Sequence, residues 1–201
     1  MTEDGGRLVR AHYTDETITV YQAYATEIAE PAVRAGTFVP PFSRSRMTWI
    51  KPSFGWMMYR CGWARKPGQE RVLRIEISRA GFEWALGHSC LSSYERDMYP
   101  SREAWDTVKK DSPVRIQWDP DRSLHGGQLG YRAIQVGLSG EAAHRYADEW
   151  ICSITDITGH VQEVESRLRT GGDPSAQLRV ERVYLLDNHL ASRVGATRPR
   201  R

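Results

Sequence analysis

Three segments in which apolar and polar side chains alternate residue by residue most strongly constrain how this chain folds. They are residues 70–78, 114–119 and 131–138. A period of two places every second side chain on the same face of a β-strand, so one face of each strand is expected to be buried. In the first segment, Leu73 and Ile75 lie on the predicted buried face. The chain is therefore expected to contain a sheet with one apolar face.

The remaining segments predict more strands and several short helices. Strands are also predicted at residues 17–21, 151–157 and 178–186, which are rich in β-branched and aromatic residues. Helices are predicted at residues 23–35, 81–86 and 140–150 and from Thr158 onward, with a break at Pro31, a stop at Gly36 and an N-cap at Ser139. A turn at 119–122 and a hairpin loop at 121–130 should separate two of the strands. Frequent hairpins favour an α+β fold with a mainly antiparallel sheet and several short helices.

Length and composition indicate one folded domain. Residues 1–187 are expected to form it, and residues 188–201 are expected to be a disordered basic tail. No apolar run approaches the roughly 20 residues that span a bilayer, and the first ten residues lack a signal sequence. We therefore expect a soluble, cytoplasmic protein without membrane contact. The net charge of +3 is too small to indicate nucleic-acid binding.

The cysteines give no sign of a metal site or of a disulfide framework. Cys61, Cys90 and Cys152 are odd in number and widely spaced, and no histidine forms a ligand pair with them. We interpret them as buried structural thiols and expect no bound metal. Motifs for phosphate-binding loops, dinucleotide-binding loops, zinc proteases and α/β-hydrolases are absent as well.

A tryptophan-rich segment at residues 46–63 is the strongest candidate for a binding site. Pro52 should hold Lys51 in an extended conformation, and Ser53 should cap a helix at residues 54–63. Free N–H groups at that helix start, together with Lys51, would attract an anion.

One helix face would carry an aromatic and guanidinium stripe of Trp56, Tyr59, Arg60 and Trp63, suited to a nucleotide ring and its phosphates. In the alternative interpretation, Trp56, Met57 and Met58 are core residues, while Arg46 and Lys51 still need polar partners.

Polar residues on the strands form a second group of candidates. Arg115, Gln117 and Asp119 share one strand face, and Arg132 and Gln135 lie on another strand. They could contact a substrate, or they could be a solvated face with cross-strand ion pairs. The strand carboxylates Glu76 and Glu181 could act as a general base or bind a ribose, or they could be ordinary surface residues.

Several of these motifs resemble a bacterial and fungal family known as domain of unknown function 4291. The residues that carry the resemblance are Val20-Tyr-Gln-Ala-Tyr24, Arg46-Met-Thr-Trp-Ile-Lys-Pro-Ser-Phe54, Trp56-Met-Met-Tyr-Arg60, Val114-Arg-Ile-Gln-Trp-Asp-Pro120 and Ile134-Gln-Val-Gly-Leu138. The resemblance extends to about Asp187, and the tryptophan-rich motif is its most specific part.

The order of elements is also similar, more distantly, to that of ADP-ribosyltransferases. That similarity implies that Gln22 stands where those enzymes carry the Arg or His that contacts the NAD ribose. It implies that Ser53 and Phe54 line a nicotinamide pocket. The chain departs from those enzymes in having neither Arg nor His at the first position and no glutamate that the order of elements assigns to the catalytic place. Among its strand carboxylates, Glu181 is our candidate for that role.

The expected function is thus an ADP-ribosyltransferase-like domain that binds NAD or a related nucleotide and transfers ADP-ribose. Glu181 and Gln22 are the predicted catalytic residues. The predicted cofactor-binding residues are Arg46, Trp49, Lys51, Ser53, Phe54, Arg60, Gln117 and Gln135. The alternative is a non-catalytic module that binds RNA or single-stranded DNA by stacking Trp and Arg on bases. A small-molecule enzyme of unrelated chemistry is a third possibility.

Overall fold

A computed structural model describes residues 6–197, and residues 1–5 and 198–201 lie outside the description. The strands are β1 (Arg10–Ala11), β2 (Thr17–Tyr24), β3 (Thr48–Ile50), β4 (Arg71–Ser78), β5 (Ser89–Leu91), β6 (Val114–Arg122), β7 (Gln128–Leu138), β8 (Ile151–Asp156) and β9 (Arg182–Val183). The α-helices are α1 (Thr26–Ala35), α2 (Phe54–Cys61), α3 (Arg79–Gly87), α4 (Arg102–Asp111), α5 (Glu141–Arg145), α6 (Thr158–Arg169) and α7 (Asn188–Val194). A π-helical turn, Tyr146–Trp150, continues α5, and a 3-10 turn, Ser175–Gln177, precedes β9.

The strands form three sheets. One contains β2, β4 and β8, the second has the order β3-β7-β6-β5, and β1 pairs with β9. Among the paired strands of the described residues, β5 and β6 are parallel and the other pairs are antiparallel. The structure therefore confirms the predicted α+β class with a mainly antiparallel arrangement. Within residues 6–197, no helix is long and apolar enough to cross a membrane.

The two larger sheets meet where β2 passes the end of β3. The N–H of Tyr21 donates to the Lys51 carbonyl at 2.8 Å, and the N–H of Lys51 donates back to the Tyr21 carbonyl at 3.2 Å. Neighbouring residues of a strand point to opposite faces. Tyr21 and Gln22 consequently face different sides of this junction, and they belong to different sites.

Apolar residues pack on both faces of the β2-β4-β8 sheet. Leu73 and Ile75 lie in the larger of two buried clusters, as their alternation predicts. Val72, on the other face of β4, joins a second cluster with Met57 of α2 and Val161 of α6. The face of β4 that the sequence assigns to polar residues is therefore partly covered by two helices.

Four local predictions are wrong. Residues 119–122 continue β6 instead of ending it, with a register shift at Pro120 that accommodates the missing N–H. Pro31 lies inside α1 without breaking it, because the carbonyl it leaves unpaired, that of Glu27, is in the exposed first turn. Gly140, not Ser139, caps α5. Residues 178–186 contribute only the two-residue β9 to a sheet.

The C-terminal segment is also ordered, contrary to prediction. Residues 188–194 form α7, which Asp187 caps by accepting a hydrogen bond from the N–H of Leu190 at 2.8 Å. Val194 is fully buried, and its carbonyl accepts a hydrogen bond from the Trp118 indole at 2.7 Å. The prediction of disorder is therefore wrong for residues 188–197, and residues 198–201 lie outside the described part.

The thiols also differ in part from the sequence interpretation. Cys61 and Cys90 are buried, as interpreted, but Cys152 is exposed. Cys152 lies on β8, which pairs with β4 alone among the described strands.

Candidate functional site

A cavity at the start of α2 has a volume of about 220 Å³, and we call it the Glu181 cavity. Strands β2 and β4, the β6–β7 hairpin, α6 and the segment before β9 also contribute residues to its walls. The polar residues that line it are Tyr21, Ser53, Arg74, Asp121, Arg122, Ser123, Tyr131, His160, Gln177, Arg179 and Glu181.

The start of α2 is fixed by two carboxyl groups and one hydroxyl group. Ser53 has an extended backbone and accepts a hydrogen bond from the N–H of Trp56 at 3.2 Å, which confirms it as the N-cap. Its hydroxyl donates to Asp121 Oδ1 at 2.8 Å. The N–H of Phe54 donates to Glu181 Oε1 at 2.7 Å. The free N–H group predicted to attract an anion thus binds a carboxyl group of the chain itself.

Burial dominates the electrostatics of this cavity. The pKa of Glu181 is raised to about 8, mainly by burial and to a smaller extent by the charge of Asp121, while the Phe54 N–H and Arg10 act in the opposite direction. Burial also raises the pKa of Asp121, which is only 3% exposed. Glu181 is therefore mostly protonated at neutral pH and is not an ordinary surface glutamate. A carboxyl group poised near neutral pH is suited to proton transfer.

Arginines give the cavity a positive side. Arg179 Nη1 lies 2.5 Å from Glu76 Oε1, and Arg74 Nε lies 3.9 Å from the same oxygen. The second oxygen of Glu76 accepts a hydrogen bond from Thr19 at 2.9 Å. Both oxygens of Glu76 therefore already have partners. This fits a glutamate that forms ion pairs on the sheet better than it fits a general base.

A groove beside the cavity has an aromatic wall. It has a volume of about 350 Å³ and includes Tyr59 and Trp63, and it shares Gly55, Ser123 and Leu124 with the Glu181 cavity. A Cβ atom at Gly55 would lie 2.3 Å from the Arg122 carbonyl oxygen, so the close approach of α2 to the hairpin requires glycine there.

The predicted helical stripe is only partly present. Trp56 stacks on Tyr59 with ring centroids 5.5 Å apart, but α2 ends at Cys61, and Trp63 lies beyond it with a φ of 56°. Trp56, Met57 and Met58 are buried, which agrees with their interpretation as core residues. Trp49, Trp56, Trp63, Trp84, Trp105, Trp118 and Trp150 are all buried or half-buried. None of the seven is fully exposed, and the nucleic-acid alternative, in which Trp and Arg stack on bases, stays a prediction.

Half of the predicted site residues lie in a different cleft. This cleft, which we call the Lys51 cleft, has a volume of about 520 Å³ and is lined by Gln22, Arg46, Trp49, Lys51 and Arg60, among others. Lys51 is only 7% exposed. Its pKa is lowered to about 8, mainly by burial and also by the charge of Arg60, while Asp119 acts in the opposite direction.

Gln22 is held in a buried network and does not meet Glu181. Its Nε2 donates to Thr48 Oγ1 at 2.6 Å and to the Tyr24 hydroxyl at 2.8 Å, and its Oε1 accepts from the Tyr146 hydroxyl at 2.7 Å. The two predicted catalytic residues are consequently in separate sites, because Gln22 points away from the face of β2 that carries Tyr21.

The two predicted glutamines on the sheet line neither site. Gln117 and Gln135 are directly opposed in the β6–β7 register. Gln135 is 8% exposed and donates from Nε2 to Asp119 Oδ2 at 2.5 Å. Arg115 bonds to backbone carbonyls, including that of Ser112 at 2.5 Å. Gln135 thus bonds to a neighbouring side chain, and Arg115 bonds to the backbone.

Sequence reasoning missed several residues of the Glu181 cavity, among them Tyr21, Asp121, Tyr131 and Arg179. Asp121 had a detectable signal, since Asp-Pro-Asp is as compatible with a strand bulge as with a turn. The others come from segments far apart in the chain. Within residues 6–197, no group of three or more His, Cys, Asp or Glu side chains is arranged to hold a metal ion.

Comparison with known proteins agrees with the family resemblance. A family model described as domain of unknown function (DUF4291) matches residues 8–184. A search of curated proteins gave no significant match. The matched region covers most of the 201 residues and contains both the Glu181 cavity and the Lys51 cleft. The chain therefore belongs to the DUF4291 family.

Proposed function

We propose that the Glu181 cavity binds the nicotinamide-ribose part of NAD or of a related nucleotide, and that the chain transfers ADP-ribose from it. The observation that carries the proposal is the Glu181 carboxyl group, placed inside a cavity and fixed at 2.7 Å by the N–H of Phe54. Ser53, Phe54 and Glu181, which the sequence assigns to the nicotinamide pocket and to catalysis, line this same cavity.

The walls of the cavity suit each part of such a ligand. Tyr21 and Phe54 pack edge to face with centroids 5.5 Å apart and offer an aromatic surface to a planar base. Arg74 and Arg179 share the single carboxylate of Glu76, which leaves one positive charge in excess for a diphosphate. The neighbouring groove with Tyr59 and Trp63 continues from the cavity and would take the adenosine half of a dinucleotide.

In the proposed reaction, the bond between C1′ of the ribose and the nicotinamide nitrogen breaks, and nicotinamide leaves with the electron pair. The ionised Glu181 carboxylate would stabilise the oxocarbenium-like centre and hold a ribose hydroxyl. An acceptor nucleophile, or water, then bonds to C1′ and releases its proton to solvent. Because the pKa of Glu181 is about 8, the rate should rise with pH until the carboxyl group is ionised.

The test is release of nicotinamide from NAD, measured by chromatography, together with the thermal shift caused by NAD and by ADP-ribose. Glu181→Gln should abolish release and keep the fold. The matched control is Glu163→Gln, which removes an exposed carboxyl group on α6 and should leave release unchanged. Absence of release, combined with absence of any thermal shift from either ligand, would overturn the proposal.

A further inference from the structure

The Lys51 cleft is separate from the Glu181 cavity. Among the described residues, the two sites share none of their lining side chains. The backbone bonds between Tyr21 and Lys51 close the wall between them, with Tyr21 on one side and Gln22 on the other. A ligand in one site therefore leaves the other open.

Lys51 is a buried cation with very little to bind. Within residues 6–197, its ammonium group donates one hydrogen bond, to the Trp49 carbonyl at the long distance of 3.4 Å. An ammonium group has three donors, and burying it without partners is costly. The Lys51 side chain nevertheless lines an open cleft and is not enclosed in the hydrophobic core. These features are expected if the partner of Lys51 is a ligand.

Two exposed arginines add to the positive charge of the same cleft. Arg46 and Arg60 both line it, and neither forms an ion pair within the described part of the chain. No described aspartate or glutamate lines the cleft. Asp119, the acidic group whose charge reaches Lys51, already accepts a hydrogen bond from Gln135. Three cations thus line one cleft that no described carboxylate lines, which favours a multiply charged anion.

The remaining walls indicate the kind of molecule that carries the anion. Tyr24, Phe42 and Trp49 provide aromatic surface, and Met47 and Met57 provide further apolar contact. The volume of about 520 Å³ exceeds what a free inorganic ion needs. Two planar guanidinium groups and one ammonium group match the several oxygens of a phosphate or diphosphate better than the two oxygens of a carboxylate.

We propose that the Lys51 cleft is a second ligand site, which binds a small molecule carrying a phosphate or diphosphate group independently of the Glu181 cavity. The inference does not depend on NAD being the ligand of the first site. It also gives Arg46, Lys51 and Arg60 a shared role that the Glu181 cavity does not provide.

The probe for this site is inorganic pyrophosphate, titrated by calorimetry into the full-length protein and four variants. Lys51→Met removes the buried charge with little change of volume and should weaken binding about tenfold or more. Arg60→Gln, at an exposed position, should weaken it about threefold. Lys110→Met changes an exposed lysine on α4 and should leave binding unchanged, as should Glu181→Gln.

Each outcome decides for or against the second site. Pyrophosphate binding that depends on Lys51 and Arg60 but not on Glu181 or Lys110 supports it. Equal binding by the wild type and both cleft variants overturns it, and so does the absence of binding at millimolar pyrophosphate. If Lys51→Met fails to fold, the Arg60→Gln titration decides the question, because an exposed arginine is dispensable for folding. Loss of binding in Glu181→Gln alone would place the anion in the other cavity and overturn the proposal.

Discussion

Glu181→Gln should change how the stability of the protein depends on pH. In the folded protein the carboxyl group has a pKa of about 8, whereas its ordinary value is 4.5. A raised pKa means that the folded state binds this proton more tightly than the unfolded state does. Between these two values the folded state therefore holds more protons, so the free energy of unfolding falls as the pH rises. Glutamine cannot ionise, and the variant lacks this contribution.

The size of the effect follows from the gap between the two pKa values. The gap is about 3.5, and each unit corresponds to about 1.4 kcal/mol, which sets a ceiling of about 5 kcal/mol. Solvent reaches the partly exposed Glu181 side chain and reduces this value, so we expect about 2–3 kcal/mol. From about pH 5 to about pH 9, the free energy of unfolding of the wild type should therefore fall by this amount relative to that of Glu181→Gln.

The assay is urea denaturation at intervals across that pH range, with Glu163→Gln as the control. Glu163 is exposed on α6, so its substitution should give a pH profile parallel to that of the wild type. Parallel profiles for wild type and Glu181→Gln as well would refute the reasoning, because they would show that the carboxyl group ionises equally easily in the folded and unfolded states.

Two further substitutions and one deletion test the packing of the fold. Gln22→Leu removes four hydrogen bonds of a side chain that is 2% exposed, and urea denaturation should show a loss of about 2–4 kcal/mol. Gly81→Ala would place a Cβ atom 2.3 Å from the Trp150 ring and should lower the melting temperature, whereas Gly87→Ala meets ordinary contacts in the same helix and should not. Deleting residues 188–201 removes α7 and leaves a buried indole N–H unpaired, so calorimetry should show a loss of about 2–4 kcal/mol instead of the neutral result expected for a disordered tail.

The sequence predicts the central elements well because their side chains alternate with a strict period. Strand β4 is found at Arg71–Ser78 against a predicted 70–78. Strand β7 ends at Leu138 as predicted but begins at Gln128, three residues before the predicted start. Short elements carry no such period. β5 has three residues and β9 has two, and both depend on pairing with strands far away in the chain. Local patterns cannot specify contacts of that kind.

Within the site, what the sequence predicts depends on whether the signal is local. Ser53 is a local N-cap signal, and its prediction is confirmed. The pairing of the Glu181 carboxyl with the N–H of Phe54 joins residues 127 positions apart, and no local pattern specifies it. The pKa of Glu181 arises from burial by those distant segments. The sequence thus identifies Glu181 as a candidate carboxylate, but it does not predict the burial that raises its pKa.

The tryptophan-rich segment lines two separate cavities because it crosses from one side of the sheet junction to the other. Lys51 pairs through its backbone with Tyr21, and its side chain enters the Lys51 cleft. After Pro52, Ser53 and Phe54 line the Glu181 cavity. Two consecutive residues of β2 are divided in the same way, with Gln22 in the cleft and Tyr21 in the cavity. A strand alternates its side chains between its two faces, so a short run of polar residues can line cavities on both sides of one sheet junction. Closeness in sequence within this motif therefore does not mean that its residues share one ligand.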